Sequence, residues 1–265
     1  MIARKRFGQH FLEPAWVVKV VDAVAPAPGD SFVEIGPGRG ALTRPLAARA
    51  ARVTAFEIDR DLAATLRQTA PSNLTIMEGD FLESGSLESA GGPIRVAGNL
   101  PYNVASPILF KLIELYDAGV PLTDATLMLQ REVADRLLAS PRTKEYGVLT
   151  LLVGLSADVQ WLLSLPPGAF RPMPKVQSSL VRLSFHPPAP RPRDRSVFVA
   201  LVRTAFMHRR KTIENAVLSH WPASRASLEI VLGAAGLDRQ RRPESLDLAE
   251  FVRLSDALGQ LPTVG

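Results

Sequence analysis

The 265-residue chain contains no cysteine. That excludes disulfides, thiolate metal sites and cysteine nucleophiles, and it fits a reducing, cytoplasmic setting. Histidine is scarce: His10, His186, His208 and His220 are scattered without ligand spacing, so no metal centre is expected. Long apolar runs are missing as well. The richest stretch, residues 148–165, is interrupted by Asp158 and Gln160, whereas a membrane-spanning helix needs about 20 apolar residues in succession. The first ten residues are basic and then polar, and are not expected to act as a secretion signal. The dinucleotide fingerprint G-x-G-x-x-G does not occur, which removes nicotinamide-dependent redox chemistry.

What is present is a globular composition, 46% apolar and 22% charged with mean hydropathy +0.09. The length suits one α/β domain with a small appendage. The net charge of +5 is uneven. Residues 191–265 hold twelve Lys/Arg against eight Asp/Glu, and Arg4, Lys5 and Arg6 form a second basic block, on a slightly acidic body. Basic ends suit a nucleic-acid partner; a merely soluble basic surface is the plain alternative.

Residues 187–195 are rich in proline and arginine and read as a stiff linker, giving domains 1–190 and 191–265. No internal repeat is visible. Before the linker, strand patterns at 31–35, 52–58, 73–78, 94–97, 125–129, 157–163 and 178–185 alternate with helical patterns at 14–24, 40–50, 59–69, 105–116, 132–139 and 146–154. Such alternation predicts a mostly parallel sheet with helices on both faces. The last two strands have no helix between them and are expected as an antiparallel hairpin at one edge. Beyond the linker only helices are expected, near 196–207, 212–218, 224–235 and 247–258.

The first strand leads into Glu34-Ile35-Gly36-Pro37-Gly38-Arg39-Gly40 and then a helix. Glycines there let a ligand approach the backbone at the carboxyl end of a parallel strand. The G-x-G-x-G spacing is a residue short for a pyrophosphate, but a nucleoside with a zwitterionic amino-acid tail needs no longer loop. Glu57 ends the second strand, where a carboxylate can take both ribose hydroxyls. Asp80 ends the third, where it can accept from an exocyclic amine, and Phe81 can cover a purine face. Solvated acids or helix caps are the plain alternatives, and Asp59 is expected to be only an N-cap. Three ligand-type residues at three successive strand ends favour a bound adenosine nucleoside.

Asn99-Leu100-Pro101-Tyr102 follows the fourth strand. An aromatic amine is a poor nucleophile because its lone pair is delocalised into the ring. Methylating it requires the nitrogen to be held in line while its hydrogens are accepted. The Asn99 side-chain oxygen and the Leu100 carbonyl can do both, Pro101 stiffens the turn and Tyr102 can stack on a flipped base. A plain turn with a core tyrosine is the alternative.

These segments, with Phe7-Gly8-Gln9-His10-Phe11-Leu12, Glu57-Ile58-Asp59, Glu78-Gly79-Asp80-Phe81, Phe170-Arg171-Pro172-Met173-Pro174-Lys175-Val176 and Arg209-Arg210-Lys211-Thr212, closely resemble the KsgA (RsmA) small-subunit rRNA adenine dimethyltransferases from end to end. The resemblance implies a class I S-adenosylmethionine-dependent methyltransferase, with a Rossmann-like, seven-stranded, mostly parallel sheet and a small all-α C-terminal domain. It also implies S-adenosylmethionine as donor, no metal, and dimethylation at N6 of two adjacent adenosines in the 3′-terminal hairpin of 16S rRNA. The partner is then the 30S subunit or its precursor, met by a cytoplasmic monomer. Carried over, His10 and Leu12 contact the methionine part, Gly36 lies against the donor backbone, Glu57 takes the ribose and Asp80 the adenine amine. Asn99 spans donor and target. Gln9, Gly38, Ile58 and Phe81 complete the donor set, and Tyr102 and Phe170 sandwich the target base. Many members carry Asn where this chain has His10. Phe170 as an aromatic plugging the sheet edge and His10 as a surface histidine remain the alternatives.

Arg4, Lys5, Arg6, Lys175, Arg209, Arg210 and Lys211 are the expected RNA contacts, with Arg241 and Arg242 extending the basic surface. Such groups neutralise phosphates and confer little sequence choice; specificity is expected from the shape of the folded rRNA. The Erm-type 23S rRNA methyltransferases share donor, target atom and sheet, but typically carry Asn-Ile-Pro-Tyr, and the match at 209–212 favours the small-subunit family. A ribosome-assembly factor whose binding outweighs its catalysis is the reading from another class.

Overall fold

The structure is a computed structural model that describes residues 10–85, 87, 92–221 and 223–261, and the chain divides into two compact units. The first is drawn from residues 1–134 and 158–185, the second from 135–157 and 186–265.

The first unit begins with β1 (Phe11–Leu12), α1 (Pro14–Val24), β2 (Ser31–Ile35), α2 (Thr43–Arg49), β3 (Arg52–Glu57) and α3 (Arg60–Arg67). It continues with β4 (Leu74–Glu78), β5 (Ile94–Asn99), α4 (Ala105–Asp117), β6 (Leu122–Gln130) and α5 (Arg131–Leu137). After α6 (Val148–Gly154), which lies in the second unit, come β7 (Ala157–Leu165), β8 (Phe170–Arg171) and β9 (Ser178–Phe185). The main sheet has the order β4-β3-β2-β5-β6-β9-β7. Its first five strands pair in parallel, and β9 runs antiparallel to β6. This is the expected Rossmann-like, seven-stranded, mostly parallel sheet. Residues such as Val53, Ala55, Val96 and Ala97 are fully buried, as strands covered on both faces must be.

Register positions the site. Ile35 pairs with Phe56 on one side and Gly98 on the other. Glu57 and Asn99 therefore stand one residue beyond those partners, on either side of Gly36. A Cβ at Gly98 would lie 2.7 Å from the Ile35 carbonyl oxygen, so only glycine lets β2 and β5 meet at this point. Two differences from the sequence pattern follow. β5 runs on to Asn99, and α2 starts at Thr43 rather than near residue 40, because 36–42 are taken up by the glycine loop.

The opposite end of the sheet is pinned by arginine. Arg95 donates to the carboxylates of Asp30 at 2.7 Å and Asp124 at 2.8 Å, and to the Val24 and Ala25 carbonyls at the end of α1. Arg182 adds a bond to Ala23. These guanidinium groups satisfy helix-end carbonyls that have no partner within the helix.

A two-stranded sheet of β1 and β8, pairing Phe11 with Arg171 and Leu12 with Phe170, was not legible beforehand. Two-residue strands carry no periodicity.

The second unit is helical: α6, α7 (Arg195–Met207), α8 (Ile213–Leu218), α9 (Arg225–Ala234) and α10 (Leu248–Leu258), packed around Phe198, Leu201, Phe251 and Leu254. Tyr146 donates its hydroxyl to the Leu246 carbonyl and meets Phe206 edge-on, so the segment before α6 belongs with these helices. The boundary expected at 190 thus differs from the compact units by residues 135–157 and 186–190. The proline-rich stretch marks only the second of the two places where the chain enters the helical unit.

Candidate active site

A cleft of about 190 Å³ opens at the carboxyl ends of β2, β3 and β5. It brings together His10, Leu12, Gly36, Gly38, Glu57, Ile58, Asp80, Phe81, Asn99, Leu100, Pro101 and Tyr102, all of the expected cleft residues that are described except Phe170. Gln9, Arg4, Lys5 and Arg6 lie outside the described residues.

The glycine loop is held by the carboxylate of β3. Glu57 Oε2 accepts from the Gly38 N–H at 2.8 Å and Oε1 from the Asp59 N–H at 2.9 Å. Burial pushes the Glu57 carboxyl above its ordinary value, against the pull of these bonds. Gly36 and Gly38 have φ of 70° and 59°, and a Cβ on Gly38 would stand 3.3 Å from the Phe11 ring. Glu34, near the end of β2, is 1% exposed; its Oε2 has no hydrogen-bond partner among the described residues and its carboxyl is pushed up to about 8, chiefly by burial. An orphaned carboxyl oxygen at a cleft wall is costly unless a ligand completes it.

Asp80 uses Oδ1 to cap the turn Phe81–Glu83 through the Leu82 N–H at 2.9 Å. Phe81 is buried edge-on to Phe56, and Ile58, 47% exposed, presents an apolar surface beside Glu57. Asp59 caps α3, as expected, through Asp61 and Leu62.

Asn99 donates from Nδ2 to the His10 carbonyl at 2.8 Å, and its Oδ1 has no protein partner among the described residues. Tyr102 is half-buried, its hydroxyl 2.9 Å from Ser178 Oγ; burial raises its pKa, and the Ser178 bond opposes the shift. The His10 ring stacks on Tyr102 with centroids 5.4 Å apart, and its Nδ1 lies 2.7 Å from the Pro172 carbonyl oxygen.

Phe170 is not in the cleft. It is 1% exposed within the main core, paired through β8 to Leu12. The alternative of a ring plugging the sheet edge describes it here, because the β1–β8 pairing turns its side chain inward. Sequence reasoning also passed over Phe11, Arg39, Met128 and Ser178. Met128 obeys the strand-end rule applied to the other strands. Arg39, whose guanidinium stands 4.2 Å over the Phe11 ring, depends on a tertiary pairing that no local pattern marks.

Of the basic candidates, Lys175, Arg210 and Lys211 are exposed. Arg209 is not an open phosphate contact: it is bonded to Glu244 and to the Thr143 and Lys144 carbonyls. Arg241 is likewise tied to Glu250 and Ser245. Among the described residues, no group of His, Asp or Glu could hold a metal, and no helix is long and apolar enough to cross a membrane.

Many known proteins are similar to this chain. The family described as ribosomal RNA adenine dimethylase matches residues 2–254. Ribosomal RNA small subunit methyltransferase A of Acinetobacter baylyi is 43% identical over 262 residues, covering 97% of this chain and 92% of that protein. The protein of the same name from Leptothrix cholodnii is 42% identical over 268 residues, covering 99% and 94%. A dimethyladenosine transferase from Plasmodium falciparum superposes with TM-score 0.76 at 27% identity, covering 92% of this chain and 96% of that one. The 23S rRNA methyltransferase ErmE gives 0.67 at 27%, covering 94% and 100%. With a match that runs nearly end to end and places its motifs in a single cleft, this chain belongs to the ribosomal RNA adenine dimethylase family.

Proposed function

We propose that the protein is a 16S rRNA (adenine-N6,N6)-dimethyltransferase that modifies two adjacent adenosines in the 3′-terminal hairpin on the 30S subunit or its precursor, as a cytoplasmic monomer. The observation that carries the reading is Asn99, whose Nδ2 is committed to the His10 carbonyl while Oδ1 is left as an acceptor at the cleft.

The cleft fits S-adenosylmethionine as donor. The orphaned Glu34 Oε2 suits a cationic ammonium, Glu57 a pair of ribose hydroxyls, Asp80 an exocyclic amine, and Ile58 and Phe81 the faces of a purine. When bound, this donor supplies a methyl group activated on a sulfonium. Asn99 Oδ1 and the Leu100 carbonyl accept the hydrogens of N6 and set its lone pair in line, and Pro101 holds the turn. Tyr102 takes a face of the flipped base. Lys175, Arg210 and Lys211 neutralise phosphates, joined by Arg4, Lys5 and Arg6.

The test is to offer labelled S-adenosylmethionine with undermethylated 30S particles and, separately, 50S particles, mapping the label by primer extension. Label in two neighbouring adenosines near the 16S 3′ end supports the reading. Label in 23S rRNA assigns the chain to the Erm-type reaction, and tight 30S binding without label makes it an assembly factor.

A further inference from the structure

We propose that Met173, in the loop between β8 and β9, is a wedge that fills the gap left in the rRNA stack once a target adenosine has swung out of it. The proposal rests on the methyltransferase reading above and deepens it, since it concerns the RNA that the base leaves behind.

A stacked base can be reached at N6 only after it has parted from its neighbours, and the parting costs stacking energy. Proteins that hold a nucleic acid unstacked insert an apolar side chain between the bases, methionine among them, while cations take the flanking phosphates. Residues 172–176 carry that combination. Met173 is 58% exposed and Val176 44% exposed, and the exposed Lys175 stands between them in the chain. Two large apolar side chains so open to water on one short loop mark a surface that a partner covers. The lysine beside them fits that partner to a polyanion.

Both ends of the loop are anchored at the cleft. At its start, Phe170 and Arg171 pair with Leu12 and Phe11, and the Pro172 carbonyl oxygen lies 2.7 Å from His10 Nδ1. At its end, Gln177 accepts from the Arg131 N–H and guanidinium, each at 3.0 Å, and Ser178 Oγ is 2.9 Å from the Tyr102 hydroxyl. In the middle Pro174 is buried, while Met173 before it and Lys175 after it are exposed. A residue that precedes proline is held to extended backbone. Met173 therefore projects from a seated, stiffened segment whose ends touch His10 and Tyr102. Its unbranched thioether is slim and adaptable enough to enter between bases.

Three substitutions in the full-length protein separate filling from charge. Met173→Leu keeps apolar bulk, Met173→Ala removes it, and Met173→Lys puts a cation in its place. Single-turnover transfer to saturating undermethylated 30S particles is expected within about threefold of wild type for Met173→Leu, and lower on the order of tenfold for the other two. S-adenosylmethionine affinity by calorimetry and urea midpoints are expected to be unchanged in all three. Particles rebuilt with an abasic nucleotide on either side of the two adenosines have no stack left to break there, and should bring Met173→Ala close to the wild-type rate. Equal rates for all four proteins, a full rate for Met173→Lys, or a defect in Met173→Ala that the abasic particles do not relieve would overturn the proposal. If the wild type labels no 30S, the functional reading fails instead. The wedge is then judged without chemistry, by 2-aminopurine at a target position of the particles. Its fluorescence must change on binding wild type and Met173→Leu but not Met173→Ala, and an equal response to all three overturns the proposal.

Discussion

The backbone N–H of Gly38 donates to Glu57 Oε2 at 2.8 Å, across the gap between the first and second strand ends. The carboxylate proposed above for a ribose is thereby also the clamp of the glycine loop, and the other oxygen holds the start of α3 through Asp59. On that proposal, binding and loop shape are coupled in a single buried side chain.

Replacing Glu57 by Ala is expected to do two things at once. A buried N–H and a part-buried one lose their acceptor, costing about 1–3 kcal/mol of stability, read from urea midpoints. Donor affinity should fall at least about tenfold by calorimetry, since one charge-assisted contact accounts for that much. A variant with full donor affinity would show that the side chain serves only the loop.

Asn99→Ala separates chemistry from binding. The loss of the Oδ1 acceptor should lower kcat about a hundredfold or more, with 30S binding retained in a filter assay. Full activity would mean that N6 is oriented by backbone alone.

Arg209 and Arg210 are neighbours with different work. Arg209 is tied to Glu244 and two carbonyls, whereas Arg210 is exposed. Arg209→Ala should therefore lower thermal stability, and Arg210→Ala together with Lys211→Ala should leave it unchanged. The double variant should instead weaken 30S binding and flatten its dependence on salt, by roughly one unit of slope per lost phosphate contact. A stable Arg209→Ala protein with the same salt defect would restore that residue to the RNA surface.

The parts of this site that local rules govern were legible from the chain. Glycines mark the turn after β2, and single acids or amides mark the ends of β3, β4 and β5. These positions emerged at the cleft as expected. Phe170 and Arg209 were harder, because their surroundings are built by segments distant in sequence. The two-residue β1–β8 pairing turns Phe170 inward and brings His10 to Tyr102. The 135–157 excursion supplies the carbonyls that bind Arg209. A basic run indicates charge, but only the fold decides which of its members face solvent.

Glu34 makes the protein's stability fall as pH rises from the acid to the neutral range. Its carboxyl is pushed from 4.5 to about 8, because burial disfavours the charge and Glu57 repels it, with the Thr43 hydroxyl pulling the other way. Between those values the folded chain keeps a proton that the unfolded chain has released. Stability therefore falls as pH rises across that window and levels off above about 8. The contribution of this group approaches about 1.4 kcal/mol per pH unit at its steepest. Glu34→Gln, neutral at every pH, should remove that slope and leave the variant more stable than wild type near pH 8, as read from urea midpoints in the absence of donor. Adding S-adenosylmethionine should flatten the wild-type slope, because a cation beside Glu34 favours the charged form. An unchanged slope in Glu34→Gln would place the sensitivity elsewhere, and a donor without effect on the slope would remove Glu34 as the partner of its ammonium group.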